Sequence, residues 1–285
     1  MSTWWGVAAM RNLLSAHFLR LKKNHLFWAA LAVGAALAGF RVHTLWRDHI
    51  DVGVVSTLDE GLFTYAQLVG LTVAVFASLF LGTEYSDGTI RNKVTSGCSR
   101  VTIYLSGFLT VSAASVLSLA AYWIVALGMG IPLLEPSQIG AGQALFTVLG
   151  ILLMTAAFCA LFTAITMNCS SKAASAVVCI LLFFALLIAS TYVYARLDAS
   201  EFIQGYTLGG DGGLVATEPE PNPRYLQPGP RKVYEFVRDL LPTGQGVQYS
   251  VGQVFNPPRL ILCSLGLTAV FSGAGAALFR KKDLK

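Results

Sequence analysis

The sequence predicts an all-α membrane protein with six transmembrane helices, and three observations carry that prediction. Of the 285 residues, 55 % are hydrophobic and only 12 % charged, about half the charged fraction of a soluble domain. Apolar runs that can cross a bilayer recur six times between polar links. Lysine and arginine concentrate on one side of the resulting topology, as they do on the cytoplasmic side of membrane proteins.

Residues 3–23 open on Trp4 and Trp5. Val7, Met10, Leu14, His17, Phe18 and Leu21 then recur at three- and four-residue spacing, with Arg11, Asn12, Ser15, Arg20, Lys22 and Lys23 mostly opposite. This pattern predicts an interfacial helix, tryptophans at the headgroups and basic residues toward anionic lipid. The first span covers about 26–46. Its unbroken apolar core, 26–40, is short for a bilayer of about 30 Å, so its flanks must snorkel. Ala36-Leu37-Ala38 resembles a signal-cleavage site, but the preceding basic stretch is long and amphipathic, which argues against cleavage. Ala30, Gly34 and Ala38 form a small-residue ridge suited to helix packing.

An acidic loop, 47–60, leads to the second span (61–81), a polar island (84–100) and the third span (102–131), which Pro132 and Pro136 terminate. The fourth span (144–166) and the fifth (173–194) flank a tight turn at 168–172. Asn168-Cys169-Ser170 matches a glycosylation sequon there, on the side assigned to the cytoplasm. Residues 196–258 form an extracellular excursion with eight of the ten prolines. Its one helical pattern, 233–241, has Val233, Phe236, Val237, Leu240 and Leu241 on one face and stops at Pro242, an external amphipathic cap between spans five and six. The sixth span (260–279) ends in Arg280, Lys281 and Lys282, and its Gly273–Ala277 run suits close helix contact. The chain thus reads as a single transmembrane domain over 1–285.

Charge sets the orientation. With N and C termini cytoplasmic, the inner segments carry twelve Lys and Arg, Lys285 included, against three acids. The outer segments carry eight against twelve. The net charge of +5 therefore reports topology and implies no nucleic acid partner.

No GxxxxGK[ST] loop is present, so ATP hydrolysis by that route would need another subunit. The four histidines form no metal-ligand pair and read as interface anchors; the five cysteines lack CxxC spacing and read as small apolar residues. No GxSxG elbow or paired carboxylates within the spans point to an enzyme. The span cores hold no Asp, Glu, Lys or Arg, which disfavours ion-coupled carriers. Most polar residues in the spans are expected to bond their own helix or a neighbour. Gln67, with Ser78, is the candidate for a translocation path.

The polar island reads as a short helix. Asp87 is expected to cap it and Gly97 to end it in the left-handed conformation, with Ser99 capping the next helix. Ile90 and Val94 form an apolar edge, Arg91 and Lys93 a cationic one. An Ile90 and Val94 exposed on a cytoplasmic helix would need a partner surface.

The run Glu84-Tyr85-x-x-Gly88-Thr89-Ile90-Arg91-Asn92 resembles the signature of bacterial ABC-type exporter permeases, the drug, lantibiotic-immunity and sodium-extrusion permeases among them. The resemblance implies that 84–100 is the coupling helix, with Glu84, Tyr85, Gly88, Thr89, Ile90, Arg91, Asn92 and Lys93 docking on an ABC ATPase. ATP and Mg would bind that partner and no cofactor this chain. A second permease copy or homologue and membrane lipid would be its other partners, in the bacterial cytoplasmic membrane. The implied activity is outward movement of a peptide antibiotic, amphipathic drug or lipid, with sodium extrusion or a non-transporting immunity or sensor role as alternatives. Glu84 admits two readings: a solvated pair with Arg91, worth under about 1 kcal/mol, or, by resemblance, a brace that keeps the coupling helix rigid. Ser96-Gly97-Cys98-Ser99 departs from the family, which often places proline or a basic residue there, and leaves the exit geometry open.

Overall fold

The computed structural model describes residues 2–208 and 214–283, and side chains over 10–207 and 216–283. The side chains of Trp4, Trp5 and Val7, and Lys285 altogether, lie outside the described residues. About 80 % of the described residues are helical. In chain order its helices are α1 (Ser2–Lys22), α2 (His25–Val52), α3 (Leu58–Phe63), α4 (Val69–Ser86), α5 (Thr89–Thr95), α6 (Arg100–Leu133), α7 (Ala141–Asn168), α8 (Lys172–Leu197), α9 (Pro228–Leu240), α10 (Pro242–Val251) and α11 (Pro257–Lys281). Six of them, α2, α4, α6, α7, α8 and α11, are long and apolar enough to cross a membrane. The chain is a multi-pass membrane protein.

α7 packs most extensively on α11, α2 on α6, and α4 between α7 and α8. α1 lies along α6, burying Leu13, His17 and Leu21 at four-residue spacing and leaving Phe18 and Leu19 exposed. His17 and Leu21 of the expected stripe are buried, while Leu13 joins them and Phe18 turns out, because α6 rather than lipid selects the buried face. The end of α1, the α4–α5–α6 link, the α7–α8 turn and the end of α11 gather at one end of the bundle, the basic end.

The second span is not continuous. The single helix expected over 61–81 is replaced by α3, a 3-10 turn at Thr64–Gln67, and α4. Carbonyls released by such a break cannot stay unpaired in an apolar interior. α6 supplies their donors: Tyr122 Oη donates to Gly61 O at 2.7 Å and Trp123 Nε1 to Leu62 O at 3.2 Å. Tyr65 stacks on Tyr122 with centroids 4.7 Å apart.

Residues 196–258 hold more structure than one cap. Four short strands, β1 (Phe202–Ile203), β2 (Tyr206–Leu208), β3 (Leu214–Ala216) and β4 (Glu220–Pro221), make two antiparallel pairs, β1 with β4 and β2 with β3. Pro242 starts α10 rather than merely stopping α9, since its fixed φ suits a first helical turn. α10 tucks into the bundle against the 3-10 turn, α7 and α8. A Cβ on Gly246 would meet Ala66 O at 2.8 Å, so only glycine permits this approach.

α10 is buried although polar, because Thr243, Gln245, Gln248 and Ser250 all meet hydrogen-bond partners. Asp239, at the end of α9, is the hub. It accepts from Arg259, from Arg238 Nε at 3.0 Å and from Gln248 Nε2 at 2.9 Å. Gln245 Nε2 donates to Asp239 O at 2.8 Å, and its Oε1 accepts from Ser264 Oγ at 2.7 Å.

Candidate functional site

The polar island folds as a short helix between two left-handed turns. Gly88 takes φ +64° and Gly97 φ +88°, a conformation that costs any other residue about 1 kcal/mol or more. Gly97 ends α5 as expected: Cys98 N donates to Lys93 O and Gly97 N to Val94 O. Ser99 caps α6 by accepting from Thr102 N at 3.1 Å. Asp87 does not cap α5. It closes α4, and Gly88 stands at the α5 N-cap position without a side-chain bond. The tight left-handed turn at Gly88 leaves Asp87 one residue too early to reach the α5 amides.

Glu84 sits in the last turn of α4, 2 % exposed. Its carboxylate accepts from Arg20 Nη1 at 2.7 Å and from Lys93 Nζ at 2.8 and 2.9 Å. Three chain segments, α1, α4 and α5, are thereby tied at one carboxylate. The expected pairing with Arg91 is not made: Arg91 lies on the exposed side of α5, while Lys93 points inward. Arg20, expected to face lipid, is drawn inward instead. Its second nitrogen donates to Phe80 O at 3.1 Å and its guanidinium lies 4.7 Å from the centre of the Phe80 ring.

His17 completes this knot. Lys93 Nζ lies 3.0 Å from His17 Nε2. An ammonium has only donors, so Nε2 accepts and the imidazole proton resides on Nδ1, which stands 3.5 Å from Glu84 Oε1. Burial holds His17 below its ordinary 6.5, at about 4. Glu84 opposes that shift, while Lys93 and Arg20 add to it. His17 is therefore a buried neutral joint rather than an interface anchor.

The apolar edge is also turned inward. Ile90 is 1 % exposed and Val94 packs on the core, so neither offers the exposed surface expected of it. Burying them gives a seven-residue helix the tertiary contact it needs to persist. Tyr85 donates its hydroxyl to Met167 O in the last turn of α7. The outward surface is made by Gly88, Arg91 and Asn92, with Thr89 half-buried.

Gln67 lies far from this cluster, half-buried in the 3-10 turn under α10. Ser78 is fully buried and donates to Ala74 O at 2.7 Å, a bond within its own helix.

Sequence reasoning missed several residues that build the site. His17 and Arg20 fall one turn apart on α1, but nothing local links them to Glu84. Arg100 Nη1 donates to the carbonyls of Lys282, Arg280 (3.1 Å) and Phe279 (3.4 Å), the exposed acceptors at the end of α11. Lys282 Nζ donates to Cys169 O at 2.9 Å and Met167 O at 3.4 Å, and lies 4.1 Å from the centre of the Tyr85 ring. Beside the link these groups enclose a hollow of about 390 Å³, lined by Tyr85, Gly88, Arg91, Ser170, Lys282 and Asp283 among others.

A family model described as ABC-2 family transporter protein matches residues 6–284. No curated protein matches the chain.

Proposed function

The chain belongs to the ABC-2 family of transporter proteins, and we propose that it is the membrane-spanning permease subunit of an ATP-driven exporter. Its cargo would be a peptide antibiotic, an amphipathic drug or a lipid, moved outward across a bacterial cytoplasmic membrane. Six spans make half of such a transporter, so a second permease copy or homologue completes it. A separate ABC ATPase, carrying ATP and Mg, docks on the basic end, which faces the cytoplasm.

One observation carries this reading: the buried Glu84 joins α1, α4 and α5 through Arg20 and Lys93. A seven-residue helix alone could not transmit force. Fastened at Lys93 and seated by Ile90, it moves with α4, and α4 packs directly on α8. A push on the outward surface of Gly88, Thr89, Arg91 and Asn92 therefore reorients α4 and α8 together and exposes the path to alternate sides in turn. Tyr85 extends the same stroke to α7 through Met167.

The test is the double variant Gly88→Pro with Arg91→Glu, co-expressed with the ABC ATPase in lipid vesicles. Proline cannot take φ +64°, so the turn into α5 is lost while the spans persist. Folded protein with ATPase stimulation lost is the expected outcome. Co-purification at wild-type yield together with normal ATP turnover would refute the coupling role.

A further inference from the structure

We propose that the hollow beside the α4–α5 link is a composite docking cleft for an acidic segment of the partner ATPase, with Lys282 and Asp283 forming its far wall. The inference rests on the reading that an ATPase docks at this end, and adds what the dock is made of and what it recognises.

Three segments remote in sequence build the cleft, and each is pinned to another. Lys282 is bonded to the α7–α8 turn through Cys169 O and lies over Tyr85. Tyr85 donates to Met167 O, and Arg100 holds the end of α11 through the Lys282 carbonyl. The walls are therefore formed before a partner arrives, which spares the ordering cost of binding.

The charge in the cleft is unbalanced. Glu84 at the back is matched twice over, by Arg20 and Lys93. Arg91 is exposed and Lys282 meets carbonyls and the Tyr85 ring; among the described residues neither has an acidic partner. Asp283 is the single further acid on the lining. The excess is positive, so the complementary occupant carries carboxylates. Burial also lowers the pKa of Lys282, and an arriving carboxylate would replace the hydration it has lost. A protein segment fits better than an anionic lipid. Of the apolar side chains on the lining, Ile90 is 1 % exposed and Tyr85 is half-buried with Lys282 over its ring, so little apolar surface is left for an acyl chain.

The ATPase that the wild-type chain retains on purification is the probe, with binding measured in nanodiscs of neutral lipid and of lipid containing phosphatidylglycerol. Arg91→Glu with Lys282→Glu should weaken retention about tenfold or more and flatten its salt dependence. Asp283→Lys, an exposed change that leaves folding intact, should tighten retention about threefold at low salt. A link that docked without the far wall would leave the Asp283 variant unchanged, and that result, or wild-type retention by the double variant, overturns the composite cleft. Effects seen only with phosphatidylglycerol would make it a lipid site and overturn it equally. Failure of the wild-type chain to retain any ATPase would instead refute the reading on which the cleft rests.

Discussion

Two carboxylates are buried at opposite ends of this bundle, Glu84 at the basic end and Asp239 at the other, and each faces two cations. They differ in how completely they are satisfied. Asp239 is 0 % exposed and holds two arginines and the Gln248 amide, and Gln245 bonds its backbone. Its partners lie in α9, α10 and α11, within 20 residues of it in sequence. Glu84 holds one lysine and one arginine, and its α1 partner is 64 residues away. Arg20 and Arg259 both reach solvent, so the two clusters differ in the number of bonds and in the sequence they span. One arrangement is a rivet and the other a joint: a fully bonded hub fixes a polar helix in place, whereas fewer bonds between segments far apart in sequence can open and close.

Removing each hub should separate the two roles. Asp239→Ala leaves the buried Arg238 without its counter-charge and Gln248 without its acceptor, while Arg259 can turn to water, at a cost of about 3 kcal/mol. Its thermal unfolding midpoint in detergent should fall well below wild type while ATPase retention on the folded fraction is unchanged. Glu84→Gln keeps the shape, and Arg20 can turn to water, so the loss should be about 2 kcal/mol. If the Glu84 variant proved the less stable of the two, the contrast between rivet and joint would be wrong.

Acid should loosen the joint through His17. His17 titrates at about 4 when folded against about 6.5 when unfolded, so between those values the unfolded chain binds more protons. Stability is complete above about 6.5 and declines as pH falls toward 4, by about 2 kcal/mol at pH 5. Unfolding midpoints at pH 7 and pH 5, for wild type and for His17→Gln, measure it; an unchanged pH dependence in the variant would remove His17 from the joint. The smallest expected effect is at Ser78, whose hydroxyl serves only its own helix. Ser78→Ala should leave transport intact and stability within about 0.5 kcal/mol, and a large transport defect would return Ser78 to the path.

The sequence made the six spans legible because each is a long apolar run, and it marked the basic end by charge. Gly97 and Ser99 were legible too, since their roles are set by local backbone chemistry. Contacts between distant segments were not. The apolar pattern runs through Phe63 and Leu68 without proline or glycine, so nothing local marks the break at Thr64–Gln67; Tyr122, Trp123 and α10 impose it. α10 itself, Pro-Thr-Gly-Gln-Gly-Val-Gln-Tyr-Ser-Val, has no apolar stripe, because its surroundings are polar. Arg91 looked like the natural partner of Glu84 from sequence distance, yet the direction of α5 gave that place to Lys93.

The most direct test of the joint is ATP turnover by the reconstituted complex carrying Glu84→Gln, normalised to the ATPase retained. The joint predicts a bound ATPase that turns over at the rate it shows alone, because the dock persists while its tie to α4 is cut. Turnover stimulated as in wild type would mean that force reaches the spans without Glu84, and the role assigned to this buried carboxylate would be contradicted.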